Sequence, residues 1–181
     1  MKIHIFGASG SGVTTLGKAL AEKLKVPYFD TDDYYWKKTD PPFTQKEAIP
    51  DRQANILKDT APLNDWILGG SLVSWGEFIK DTFELAIFLY LPAEIRMERL
   101  KKREYERYGN IIFDDPIRHQ QYLDFIAWAS RYDDDTFEGR SKKIHLNWYD
   151  TLKSQKIKIV GDLTTVERIE MVLRAVENCD K

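Results

Sequence analysis

The sequence predicts a three-layer α/β fold with an approximately five-stranded parallel sheet, on three observations. Short apolar runs alternate with longer stretches whose apolar residues recur at helical spacing, as strands and helices do in parallel sheets. A glycine-rich segment follows the first apolar run directly. The chain has 181 residues, of which 43% are hydrophobic and 31% charged. That size and composition predict one domain over residues 1–181 with a substantial core.

Five apolar runs are the predicted strands, and the continuous run 85–91 suits the centre of the sheet. The runs are 2–6, 26–29, 66–68, 85–91 and 156–160. Amphipathic stretches between them predict helices at 14–24, 51–60, 92 towards 109, 115 to about 132, 140–154 and 164–176. Pro41, Pro42 and Pro50 make the segment 37–50 a predicted loop.

Composition and charge exclude several classes of protein. The net charge of −2 lacks the cationic field that nucleic-acid and membrane-surface proteins need, so neither partner is expected. No apolar run approaches the roughly 20 residues of a membrane span, and no signal-peptide pattern opens the sequence. The single cysteine, Cys179, allows no intramolecular disulfide, and the three histidines show no metal-ligand spacing. A cytoplasmic protein without a zinc site is expected.

A phosphate-binding loop is predicted between the first strand and the first helix. The segment Gly7-Ala8-Ser9-Gly10-Ser11-Gly12-Val13-Thr14 matches the Walker A pattern G-x-x-x-x-G-K-[ST] except that valine replaces lysine. Glycines let the backbone N–H groups turn inward, at the positive end of the helix dipole. Thr14 occupies the position of the hydroxyl that ligates Mg²⁺. The alternative is a glycine-rich connection that binds nothing.

Further fragments, in order along the chain, resemble the P-loop small-molecule kinases, the group of adenylate, shikimate and gluconate kinases. Residues 28–32, Tyr-Phe-Asp-Thr-Asp, look like the D-x-D motif of shikimate kinase, and Gly69-Gly70 is similar to its glycine-rich acceptor site. Residues 99–103 resemble the lid hinge of adenylate kinase, in which two arginines four apart contact ATP. Residues 159–162 lie where these kinases contact adenine.

The resemblance implies a P-loop NTPase-type fold with an arginine-bearing helical lid over about 99–140. It implies ATP or another nucleoside triphosphate, with Mg²⁺ held near Thr14 and Asp30. The implied nucleotide-binding residues are Gly7, Ala8, Ser9, Gly10, Ser11, Gly12, Val13, Thr14, Thr15, Arg99 and Gly161. Asp32, Gly69, Gly70 and Arg140 are the candidate acceptor-binding residues, and Asp32, Arg99 and Arg103 the candidate catalytic residues.

The acidic run is expected to face the ligand. Asp30 and Asp32 alternate at the end of the second predicted strand, so their side chains are expected to share one face at the carboxyl edge of the sheet, where ligands bind in open α/β sheets. There a carboxylate can orient the acceptor hydroxyl and take its proton. The alternative is that the cluster only caps the next helix. Within the cluster, Asp33 is the predicted cap.

Two other constellations leave alternatives open. Four arginines of one predicted helix fall within about 80° of one another around its axis: Arg96, Arg99, Arg103 and Arg107. They form either a stripe that binds phosphate oxygens or a solvated helix face. The spacing of Arg99 and Arg103 favours phosphate contact. A run of aromatic residues at helical spacing is expected to be core, with an acceptor pocket as the alternative. That run and its neighbours are Tyr122, Phe125, Trp128, Tyr132, Phe137 and Trp148.

The valine at position 13 leaves two functions in competition. The missing lysine normally neutralises charge on the β- and γ-phosphates during transfer, and neither Lys18 nor Lys2 is placed to replace it. The first function is phosphoryl transfer from ATP to a small-molecule acceptor, a nucleotide, nucleoside or similar hydroxyl compound. The second is a nucleotide-binding sensor or partner-binding module with little kinase activity.

Overall fold

Five parallel strands form a single sheet in the order β2-β3-β1-β4-β5. The computed structural model describes residues 1–40 and 42–179, without the side chains of residues 178 and 179. The strands are β1 (Lys2–Gly7), β2 (Tyr28–Asp30), β3 (Trp66–Gly69), β4 (Leu85–Tyr90) and β5 (Gln155–Val160). The predicted α/β fold and five-stranded parallel sheet are confirmed. The side chain of Cys179 and all of Pro41 lie outside the described residues.

Helices connect the strands and cover both faces of the sheet. They are α1 (Val13–Leu24), α2 (Thr31–Tyr35), α3 (Ile49–Thr60), α4 (Ala93–Tyr108), α5 (Ile111–Asp114), α6 (Pro116–Ser130), α7 (Lys142–Thr151) and α8 (Thr165–Cys179). Short 3-10 helices lie at Lys80–Thr82 and Arg131–Asp133. Two of these helices, α2 and α5, were not predicted from the sequence; each is at most five residues long. No helix in the described ranges is long and apolar enough to cross a membrane.

The alternation of side chains along β1 divides the core into two layers. Ile3 and Ile5 belong to the apolar cluster that α1 and α8 cover. Phe6 belongs to a second cluster on the opposite face, which α3 and α7 cover and which contains Trp66, Trp75 and Trp148. The layers hold the carboxyl ends of β1, β2 and β3 rigidly beside one another, and the loops that follow these strands build the site.

Two fully buried histidines lie in the second layer. His4 Nδ1 contacts the Leu68 carbonyl at 3.1 Å, and Trp148 donates to His4 Nε2 at 3.3 Å. His145 lies between the hydroxyls of Tyr132 and Ser71, at 2.8 and 3.0 Å. Burial lowers the pKa of His4 to about 4, against the opposing effect of the Leu68 carbonyl. Burial, with Arg140 and His4 nearby, lowers the pKa of His145 to about 3.

The segment predicted as a lid comprises the second half of α4, α5, α6 and the 3-10 helix after it. Arg96 anchors α4 to the end of this segment. It is fully buried, donates to the Ala129 carbonyl at 2.8 Å and pairs with Asp133 at 3.4 Å. It is therefore a structural brace, which settles the alternative left open for this member of the arginine stripe.

Candidate functional site

The phosphate loop has the backbone geometry of an anion site. It leads from β1 into α1, and Gly10 and Gly12 adopt the positive φ angles 84° and 96° that glycine tolerates best. The Ser11 N–H donates to the Ala8 carbonyl at 3.1 Å, and the Gly12 carbonyl accepts the first bond of α1, from Leu16, at 2.9 Å. The first N–H groups of a helix lack helical partners and carry its positive partial charge. The loop can therefore bind phosphate oxygens.

Asp30 organises the polar groups beside this loop. Its Oδ2 accepts hydrogen bonds from the Thr14 hydroxyl and the Tyr28 hydroxyl, both at 3.0 Å. Its Oδ1 accepts from the Asp32 N–H at 3.1 Å, which makes Asp30 the N-cap of α2. The prediction that Asp33 is the cap is therefore wrong. The chain turns helical right after Asp30, so Asp32 stands in the first turn of α2 and does not share a strand face with Asp30.

Thr14 and Asp30 form a donor set that fits Mg²⁺. Proteins hold Mg²⁺ through one or two carboxylates, and substrate phosphates and water complete the octahedron. The hydroxyl and the carboxylate already lie 3.0 Å apart at the mouth of the phosphate loop. No group of three or more His, Cys, Asp or Glu side chains able to hold a metal occurs among the residues described. Phosphate oxygens would have to supply the remaining ligands.

Tyr28 is a site residue that the sequence analysis did not single out. Its ring fills the space in front of two glycines: a Cβ on Gly17 or on Gly69 would lie 2.2 Å from it. Burial, and the carboxylate of Asp30, raise the pKa of Tyr28 far above its usual value, so the hydroxyl stays a donor. A Cβ on Gly70 would meet the Thr31 hydroxyl at 1.8 Å. Both predicted acceptor glycines thus admit neighbouring side chains, and neither lines the cleft.

A cleft of about 1070 Å³ opens in front of Thr14, Asp30 and Asp32. Its far wall belongs to the predicted lid and to the segment before α7. The basic and aromatic residues of this wall are Arg103, Arg107, Tyr108, Arg118, Tyr122, Phe125, Trp128 and Arg140. Tyr122, Phe125 and Trp128 were expected to be core, and they line the cleft half-buried instead. Tyr132 and Trp148 are buried as expected.

Asp32 occupies the acidic side of this cleft. Desolvation raises its pKa, and the charges of Asp30 and Asp33 act in the same direction. Arg140 and Arg103, on the opposite wall, lower it. A carboxylate with a raised pKa is a stronger proton acceptor than an ordinary aspartate, as a general base requires.

The arginines of α4 have separate environments. Arg99 forms an ion pair with Asp162 in the loop after β5. Arg103 lines the cleft and contacts Glu104 at 2.9 Å. Arg107 lies over the Phe43 ring, 5.7 Å from its centroid. Arg99 therefore lies beside the loop after β5, whereas Arg103 lies in the cleft that Ser9 and Thr14 of the phosphate loop also line.

Arg168 is a second residue that the sequence analysis missed. It lies in the first turn of α8, and its Nη1 donates to the Ser11 carbonyl of the phosphate loop at 2.8 Å. Its Nη2 donates at 3.3 Å to the carbonyl of Gly161, in the loop predicted to contact the base. The guanidinium thus joins the two loops that the sequence assigns to the nucleotide.

Comparisons with known proteins identify the family of the chain. The family described as "AAA domain" matches residues 3–119. The uncharacterized protein YqaC of Bacillus subtilis (strain 168) is 42% identical over 171 residues, 94% of each chain. A shikimate kinase of Bacteroides thetaiotaomicron is 29% identical over 118 residues, 59% of this chain and 67% of that one.

A solved structure of a deoxyadenosine kinase from M. mycoides, with dCMP and dCDP bound, has the same fold. It aligns with a TM-score of 0.52 at 16% identity, and the alignment covers 98% of this chain and 100% of that one. At this identity the likeness shows the fold alone. The predicted resemblance to the P-loop small-molecule kinases is confirmed.

Proposed function

The chain belongs to the P-loop AAA-domain family, and from this premise we propose that it transfers the γ-phosphoryl group of ATP, or of another nucleoside triphosphate, to a small-molecule acceptor. The acceptor would be a nucleotide, a nucleoside or a similar hydroxyl compound. The observation that carries the proposal is the position of Asp32 on α2. Its carboxylate lines the same cleft as Thr14 of the phosphate loop and Arg103 of α4.

Each side chain would have one task. The loop N–H groups would bind the phosphates, and Thr14 and Asp30 would hold Mg²⁺, which neutralises phosphate charge. Asp32 would accept the proton of the acceptor hydroxyl while the oxygen of that hydroxyl forms a bond to the γ-phosphorus. The bond from that phosphorus to the bridging oxygen breaks, and the nucleoside diphosphate leaves. Arg103 would stabilise the charge that spreads over the transferred group.

The cleft's other groups support acceptor binding. Arg140 lies 5.9 Å from the ring centroid of Trp128 and 6.0 Å from that of Tyr35, and it interacts with Asp32. A planar guanidinium beside aromatic faces suits an acceptor that is planar, anionic or both. The loop containing Gly161, with Arg99 and Asp162, would contact the base.

One observation favours the second candidate, a nucleotide-binding module with little kinase activity. Val13 packs against the apolar cluster beneath α1, so the phosphate loop has no cation of its own at this position. Such a module would keep nucleotide affinity, which the loop N–H groups supply, and would lose transition-state stabilisation.

Two measurements separate the candidates. Binding is measured by the rise in melting temperature with millimolar ATP, ADP, GTP or GDP and Mg²⁺, because a ligand of the native state stabilises it. Transfer is measured as release of the nucleoside diphosphate in the presence of candidate acceptors, a panel of nucleotides, nucleosides and polyols. Stabilisation with acceptor-dependent turnover supports the kinase, and stabilisation without turnover supports the module. No stabilisation by any of the four nucleotides would contradict both.

A further inference from the structure

The phosphate loop does have a fixed cation, and it lies behind the loop instead of in front of it. The sequence alone does not reveal this cation, because Arg168 is 157 residues away from Ser11, whose carbonyl it contacts. The other cations near the site have different contacts: Lys18 interacts with Asp33, and Arg99 pairs with Asp162. Among the cations that the structure describes, Arg168 is the one whose guanidinium bonds to the loop backbone itself.

The environment of Arg168 is unusual for a charged group. Its side chain is 5% exposed, and its Nε has no hydrogen-bond partner among the residues that the structure describes. Its hydrogen-bond partners within the described ranges are two backbone carbonyls, and it forms no ion pair with a carboxylate there. Burial, together with the charge of Arg99, lowers the pKa of Arg168, against the opposing effect of Asp162. A buried cation is costly unless an anion compensates it, and a bound phosphate would supply that anion.

The Ser11–Gly12 peptide connects Arg168 with the phosphate site. The Ser11 carbonyl and the Gly12 N–H belong to one planar trans peptide, so they point in opposite directions. A guanidinium on the carbonyl side polarises the peptide and makes its N–H a stronger donor. Within the described part of the chain, that N–H donates no backbone bond. It is available to a phosphate oxygen on the far side of the loop from Arg168.

Gly12 makes the close approach possible. A Cβ at this position would lie 2.6 Å from Arg168 Nη1. The glycine is therefore needed for a second reason besides its φ of 96°: any side chain here would push the guanidinium out of its place behind the loop.

We propose that Arg168 is a positioning residue that replaces the Walker A lysine, which would stand at position 13. It supplies a fixed positive charge from behind the phosphate loop, and this charge acts on the phosphates through the Ser11–Gly12 peptide. The proposal rests on nucleotide binding at this loop. The ligand that benefits is the polyphosphate chain of a nucleoside triphosphate or diphosphate.

The test is a charge-rescue experiment, with MgATP affinity measured by isothermal titration calorimetry and folding by circular dichroism. Arg168→Gln keeps a hydrogen-bond donor and removes the charge, so MgATP affinity is expected to fall about 10- to 100-fold. Adding Val13→Lys to this variant is expected to recover at least about tenfold, whereas Val13→Lys alone changes affinity less than about threefold, since coupled sites are not additive. Arg52→Gln is the matched control: Arg52 is also buried and bonded to a backbone carbonyl, that of Glu47, and its loss should leave MgATP affinity unchanged.

Four results decide against the proposal. A folded Arg168→Gln variant with the affinity of the wild type shows that the charge does not act on phosphates. A loss of affinity that Val13→Lys does not restore shows that Arg168 is only a brace between the loops. If Arg168→Gln does not fold, Arg168→Met replaces it, because it also removes the charge; the expected loss is again about 10- to 100-fold, Val13→Lys is expected to recover at least about tenfold of it, and an unchanged affinity overturns the proposal. Absence of MgATP and MgADP binding in the wild type itself refutes the proposed function, and the Arg168 proposal with it.

Discussion

The two buried histidines predict that the protein loses stability steeply just below neutral pH. The pKa of His4 is lowered to about 4 and that of His145 to about 3, whereas both are near 6.5 in an unfolded chain. Between these values the unfolded state binds more protons than the folded state, so the free energy of unfolding rises with pH and falls as pH drops. With two histidines the slope approaches about 2.7 kcal/mol per pH unit, and the loss from pH 7 to pH 5 is about 3–4 kcal/mol.

Urea unfolding between pH 5 and 7.5, at constant ionic strength, measures this slope. His145→Gln removes one of the two titrating groups, so its slope in the same range should be about half that of the wild type. The variant will itself be less stable, because the Tyr132 and Ser71 hydroxyls lose a partner, but a lower stability does not alter the slope. A free energy of unfolding that changes by less than about 1 kcal/mol from pH 7 to pH 5 would refute the reasoning.

Four further predictions concern catalysis. Asp32→Asn should lower turnover about 10²- to 10⁴-fold with little change in ATP affinity, and wild-type turnover in this variant would remove Asp32 from the mechanism. The rate of the wild type should fall on the acid side at a higher pH than an ordinary aspartate would give, since the pKa of Asp32 is raised. Arg103→Lys should lower turnover at least about tenfold, because an ammonium lacks the planar, forked set of donors of a guanidinium. Unchanged affinity and turnover would indicate that Arg103 only belongs to a solvated helix face. Tyr28→Phe should raise the Mg²⁺ concentration for half-maximal turnover about tenfold, since a partner of Asp30 is lost, and an unchanged Mg²⁺ dependence contradicts this role. Val13→Lys should change turnover only modestly if Arg103 has taken over the role of the Walker A lysine. A large gain in turnover from a wild-type rate near background would identify a protein that has lost kinase activity.

The sequence was sufficient wherever the determinants are contiguous. The phosphate loop is one such case, because eight consecutive residues between a strand and a helix specify its backbone. The order of the strands and of the longer helices is another, since each of those helices is long enough to show its period; α2 and α5 are too short to do so. The boundary at Asp30 was misjudged by one or two residues, and at the end of a strand such an error changes which side chains share a face.

Contacts between distant segments were beyond its reach. Tyr28 faces Asp30 only because Gly17 and Gly69, on two other elements, leave room for its ring. The aromatic residues of α6 illustrate a different limit. Helical spacing predicts that Tyr122 and Phe125 share a face, but the same spacing serves a face that packs in the core and one that lines a cleft.

The division of charge around the phosphate loop bears on how a kinase can lack the Walker A lysine. A cation fixed behind the loop is present before and during transfer, so it strengthens substrate and transition state alike and acts on affinity. Arg103, on the cleft wall across from Asp32, can approach the transferred group as charge develops and so act on the rate. The lysine of an ordinary P-loop serves both purposes from one position. Here they would be separated between Arg168 and Arg103, so loss of the first should raise KM with little change in kcat, and loss of the second should lower kcat.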